Sequence, residues 1–80
     1  MSAWILRGPT GDERASGMYV ECAAAAERLW PGSYNHGLQP YRPDPAGGPD
    51  LERALIWQSE EESVGDDGQD AIAEIVEVRP

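Results

Sequence analysis

Between Pro31 and Pro49 the chain carries five prolines, at 31, 40, 43, 45 and 49, together with four glycines. No other feature limits its fold as strongly. Each proline fixes φ and removes a backbone donor, and the residue before each is pushed out of helical geometry. A long helix is excluded there, and few regular elements are expected to survive. The reading is a long loop over 31–49, of a length that is functional or mobile in a compact domain. Tyr34, Leu38 and Tyr41 would pin it to the body, with room for one short extended piece near 38–41. The whole chain of 80 residues allows a single domain, 1–80, which buries only about 60% of its unfolded surface.

Outside that loop the elements are short. Ala3-Trp4-Ile5-Leu6-Arg7 is an apolar run stopped by Gly8-Pro9, hence an opening strand. Residues 8–17 are polar and rich in turn formers and read as a loop. In 18–30, Met18, Cys22, Ala25 and Leu29 fit one helical face, and Tyr19, Ala23, Ala26 and Trp30 the adjacent one. Met18-Tyr19-Val20-Glu21 equally suits a strand, so a strand near 17–21 leading into a helix near 22–30 is expected. Leu29 and Trp30 would anchor the helix end, and Pro31-Gly32 would stop it. Ala54-Leu55-Ile56-Trp57 and the 71–79 segment read as strands of a hairpin whose tip, 60–70, is acidic and Gly-rich. A helix capped by Asp50, with Leu51, Ala54, Leu55 and Gln58 on one face, is the alternative for 51–58. The fold class is therefore α+β: a small antiparallel sheet of short hairpins with one Ala-rich helix packed on it.

Charge decides which functions are compatible. Fifteen acids face six bases, all arginine, for a net charge of −9. That acidity argues against direct binding to nucleic acid or an anionic membrane. No apolar run approaches a membrane span, and no basic segment precedes an apolar one as in a secretory leader. One Cys makes no internal disulfide, which favours a reducing compartment. The imbalance is also local: residues 1–30 are nearly neutral, 31–49 are neutral, and eight acids occur between Glu60 and Glu77 without one base.

Motifs for chemistry are sparse. Cys22 and His36 are single, too few for a zinc site, and Cys22 lies among alanines with no cation to activate it. Asp66-Asp67-Gly68-Gln69-Asp70 has the flavour of a calcium loop, but Gly is missing at its sixth place and a ligand at its third; a solvated turn is the reading. Gly8-Pro9-Thr10-Gly11 lacks the spacing and the lysine of a phosphate loop. Neither a cofactor nor a metal is expected, and the chain is not expected to be an enzyme. Trp4, Trp30 and Trp57 stand in for the absent Phe as core residues, with at least one as a contact anchor.

The acidic segment is the informative feature. On a strand, Glu60 and Glu62 would stand about 6.6 Å apart, close to twice the advance of about 3.4 Å per phosphate along one DNA strand. In size, acidity and lack of cofactor motifs the chain resembles the small phage-encoded inhibitors of bacterial defence, anti-CRISPR proteins and DNA mimics among them. Exclusive use of Arg with many Ala, Gly and Pro suits a high-GC bacterial or phage genome. The resemblance implies a non-enzymatic inhibitor, cytoplasmic in a bacterial host, that occupies a basic, nucleic-acid-binding surface of a protein partner. Glu60, Glu61, Glu62, Asp66, Asp67 and Asp70 would carry the electrostatics, and Trp57, Tyr34 and Tyr41 the apolar contact. The alternative is a structural or accessory subunit of a phage or oligomeric assembly, with homodimerisation left open.

Overall fold

The computed structural model describes residues 3–63 and 71–78. Its elements are β1 (Ala3–Arg7), β2 (Glu13–Gly17), α1 (Tyr19–Leu29), β3 (Tyr34–Arg42), β4 (Leu51–Trp57), α2 (Glu60–Ser63) and β5 (Ala73–Val78). The strands form one five-stranded sheet in the order β2-β1-β5-β4-β3, with every neighbouring pair antiparallel. The fold is α+β. Two hairpins, β1–β2 and β3–β4, flank β5, which enters between them and closes the sheet.

One face of the sheet is the core. Leu6, Ile75 and Ala54 lie opposite one another across β1, β5 and β4, and all three are fully buried. Ile56 and Ala73 extend the same face, and α1 covers it with Cys22, Ala25 and Ala26. These three recur at i, i+3 and i+4, the spacing of one helical stripe. Their small side chains let the helix backbone lie close to the sheet. The covering stripe is rotated from the one the periodicity suggests: Met18 and Leu29 are exposed, and Leu29 does not anchor the helix end. Trp30, half-buried, packs against the core instead, beside Trp4 and Tyr19.

The expected strand at 17–21 is corrected. The strand lies earlier, in the stretch 8–17 read as loop, and the helix begins at Tyr19. Gly17 makes the abrupt switch, with φ +130, where an added Cβ would stand 2.8 Å from Glu21 Oε1. That same carboxylate oxygen accepts the Met18 N–H at 2.9 Å, capping the helix, and an acid in the first turn also meets the helix dipole favourably.

The long loop over 31–49 is corrected too. Nine of its residues form β3, which pairs with β4 from Tyr34↔Trp57 to Arg42↔Leu51. Position in the sheet explains the survival of a strand containing Pro40. β3 is an edge strand, where a missing N–H can face solvent, and the pairing slips at two places, between Asn35 and Leu38 and between Pro40 and Arg42. Gly37 sits in the first slip at φ +97, a left-handed backbone that glycine adopts without strain. The Asn35 side chain accepts the Gly37 N–H there and donates to the Tyr19 hydroxyl, at 2.8 and 2.9 Å, tying β3 to α1. Only 31–33, before β3, and 43–50, after it, remain connecting segments. The strand reading of 51–58 holds and its helical alternative falls.

Candidate functional site

The described part of the acidic tip is a helical turn. Ser59 Oγ accepts the Glu62 N–H at 3.4 Å as a cap, and Ser63 Oγ donates to the Glu60 carbonyl at 2.6 Å. Glu60, Glu61 and Glu62 occupy the first turn, where carboxylates meet the positive end of the helix dipole, and all three are exposed. This corrects the strand spacing. Successive helical residues rise about 1.5 Å and turn by about 100°, so Glu60 and Glu62 fan apart and do not follow a row of phosphates. Among the described residues none of the three is in an ion pair. Asp66, Asp67 and Asp70 lie outside the described residues.

The three aromatic residues expected beside this cluster are separated. Tyr34 is half-buried and pairs in register with Trp57, at the end of β4 from which α2 departs. Trp57 is 2% exposed, so its ring is not a surface anchor, and its buried indole Nε1 finds no hydrogen-bond partner among the described residues. Tyr41 lies near the other end of β4, beside Arg42, the partner of Leu51. Leu51 and Trp57 stand about 20 Å apart at about 3.3 Å per residue. Glu60–Glu62 and Tyr34 thus share one end of the sheet, and Tyr41 belongs elsewhere.

Its place is a cleft that sequence reasoning missed. The sheet face away from α1 carries a cavity of about 360 Å³ lined by Arg7, Arg42, Arg53, Tyr41 and Glu74. Val76, Val78 and Leu51 give it an apolar floor, and the turn at Asp44–Ala46 forms a wall. The polar groups form a row across four adjacent strands. Arg7 on β1 and Arg53 on β4 approach the two carboxylate oxygens of Glu74 on β5, at 3.9 and 3.5 Å. Arg53 and Arg42 both lie over the Tyr41 ring of β3, with guanidinium carbons 5.3 and 5.2 Å from its centroid. Half of the six arginines meet here. They are spread over positions 7, 42 and 53, so no local run of basic residues marks the place; only the register of the sheet gathers them.

One carboxylate is buried at the border of this cleft. Glu77, 5% exposed, accepts the Glu52 N–H at 3.0 Å, beyond the last β4–β5 pair at Arg53↔Val76. Its side chain satisfies a donor where the two strands stop pairing. Cys22 is fully buried in the core; burial pushes its thiol above the ordinary value, and the neighbouring Glu21 charge adds to the shift. Asp12 is held below the ordinary carboxylate range, chiefly by the Thr10 hydroxyl that donates to it at 2.6 Å, and also by Arg14. Among the described residues no three His, Cys, Asp or Glu side chains come together in a way that could hold a metal, and no helix is long and apolar enough to cross a membrane.

Compared with known protein families, curated proteins and solved structures, the chain matches none.

Proposed function

We propose that the protein is a non-enzymatic inhibitor that binds a protein partner by presenting its acidic end to a basic, nucleic-acid-binding surface, in the manner of anti-CRISPR proteins and other small acidic phage inhibitors of bacterial defence. One observation carries the reading: Glu60, Glu61 and Glu62 are exposed together at the sheet end, with no arginine paired to them among the described residues. Three carboxylates on one short turn repel one another, and a basic partner surface relieves that repulsion. The support is charge and exposure. Spacing matched to DNA phosphates no longer enters, because these residues are helical.

A second reading, a subunit of an oligomeric assembly, is favoured by β3. Its nine residues form a sheet edge whose outer side pairs with no described strand, and such an edge can add a strand from another copy.

The test is a titration against a candidate basic partner, for example a nucleic-acid-binding effector of a bacterial defence complex, at low and moderate salt. Long-range attraction speeds association and salt slows it. Changing Glu60, Glu61 and Glu62 together to Gln should weaken binding by at least about tenfold, at about 1.4 kcal/mol per decade, while the fold persists. Equal, salt-independent affinity of the two proteins refutes the inhibitor reading. Concentration-dependent self-association without a partner supports the assembly reading.

A further inference from the structure

We propose that the arginine-lined cleft on the open sheet face is a binding site for a small organic anion, a phosphate or carboxylate carried on a flat, largely apolar body. The guanidinium donors of the cleft are left to solvent and are free to engage a ligand. Arg7, Arg42 and Arg53 together hold fifteen N–H donors, at five per guanidinium, and among the described residues they donate no hydrogen bond. Arg7 and Arg53 meet Glu74 only at 3.9 and 3.5 Å, beyond the usual hydrogen-bond length. Arg42 makes no ion pair among the described residues, only its contact with the Tyr41 ring.

Electrostatics favours the same occupant. Arg42 and Arg53 both approach one aromatic ring, which places two like charges within about 11 Å of each other, with no ion pair to a shared carboxylate among the described residues. An anion between them would relieve that repulsion, and two planar forks can each engage a phosphate or carboxylate in bidentate fashion. The lining also includes Asp44, Glu74 and Glu77. Those charges are engaged otherwise: Asp44 Oδ1 accepts the Ala46 N–H at 2.9 Å, Glu74 lies between Arg7 and Arg53, and Glu77 accepts a backbone N–H. Three arginines against these three acids make the cleft neutral overall, whereas the chain as a whole carries −9. The described lining itself therefore does not repel an anion on balance.

Shape selects the rest of the ligand. A volume of about 360 Å³ falls at the lower end of small-molecule pockets. Its floor is aliphatic, from Val76, Val78 and Leu51, and the Tyr41 ring forms one side. A bare inorganic anion would leave that surface wet, whereas a flat ring bearing the anion would cover it.

The test uses the full chain, ¹⁵N-labelled, with backbone and arginine Nε–Hε signals followed by NMR. Adenosine 5′-monophosphate serves as the anionic flat probe, inorganic phosphate as the anion alone and adenosine as the body alone. The expected result is saturable shifts at Arg42 and Arg53 with the monophosphate, weaker ones with phosphate and none with adenosine. Arg42→Gln, at an exposed position with no ion pair among the described residues, should weaken monophosphate binding at least about tenfold, the loss of one charge-assisted contact. The triple Gln variant at Glu60–Glu62 should bind the probe undiminished, which separates this site from the acidic end. The proposal is overturned if Arg42→Gln binds as tightly as wild type, or if Arg14 and Arg28 respond as strongly as Arg42 and Arg53. Shifts of the cleft arginines with protein concentration alone would also overturn it, in favour of a second copy as the occupant.

Discussion

Truncating Ile75 to alanine tests the assignment of the sheet's two faces. Ile75 is fully buried, flanked by Leu6 on β1 and Ala54 on β4, and lies in the cluster beneath α1. The change removes three carbon atoms, worth about 2.4 kcal/mol at about 0.8 kcal/mol per buried carbon group. A cavity term adds to this, because the same cluster contains Ala25, Ala26, Ala54 and Ala73, whose side chains end at Cβ and cannot reach into the space. The total should be about 3–4 kcal/mol, within the usual span for such truncations. A domain of this size has about 4–12 kcal/mol in all, at roughly 0.05–0.15 kcal/mol per residue. The assay is urea unfolding at neutral pH, read by tryptophan fluorescence and far-ultraviolet circular dichroism. With a slope near 1 kcal/mol/M for a small protein, the midpoint should fall by about 3 M, or the variant should be unfolded from the start. Ile75→Val should cost only about 0.5–1.5 kcal/mol and keeps the test readable in that case. Val78→Ala, on the same strand but 39% exposed and facing away from α1, should stay within about 0.5 kcal/mol of wild type. Equal losses at 75 and 78 would refute the assignment of α1 to one face of the sheet.

Cys22 should react with a thiol reagent at least about a hundredfold more slowly in the native protein than in urea, since its exposure requires local or global opening; rapid native labelling contradicts this. Its folded thiol is held above the ordinary value of 9.0, so any stability it contributes is full below the unfolded value and is lost as pH rises through the folded one. The stability difference between wild type and Cys22→Ala should therefore be constant up to about pH 8 and shrink above about 9; a difference that grows with pH refutes the sign. Gly17→Ala should cost about 1–3 kcal/mol, because the new Cβ meets φ +130 and the Glu21 carboxylate that caps α1; an unchanged urea midpoint would show that the junction relaxes freely. Amide hydrogen exchange should be slower over 34–42 than over 43–50, as β3 is paired with β4; equal rates would show that the edge strand does not persist.

Local sequence was sufficient for the elements whose signals are local. The apolar run at 3–7, the Ala run after Cys22, the continuous apolar run at 54–57 and the apolar-rich segment 72–78 each fall within or overlap the expected element, because the burial of a short apolar stretch depends mostly on its own composition. The α+β class and the burial of Cys22 follow from the same kind of evidence, whereas Trp57, expected as an apolar contact, is buried. The acidic cluster at Glu60–Glu62 was also legible, but its geometry was not: the Ser59 cap turned a stretch read as the tip of a strand hairpin into a helical turn.

Tertiary structure decided what depends on neighbours distant in sequence. β3 carries proline and glycine that local rules read as loop, and it persists because it lies at a sheet edge with β4 as its template and two register slips that accommodate Gly37 and Pro40. The exposure of Leu29 was set by which helical stripe the sheet accepted. Most of all, the arginine cleft has no trace in the sequence. Arg7, Glu74, Arg53 and Tyr41 are brought side by side only because β5 enters between β1 and β4, and β3 folds back on β4. Hydrophobic periodicity is written residue by residue, whereas the meeting of charges across a sheet is fixed by strand order and register.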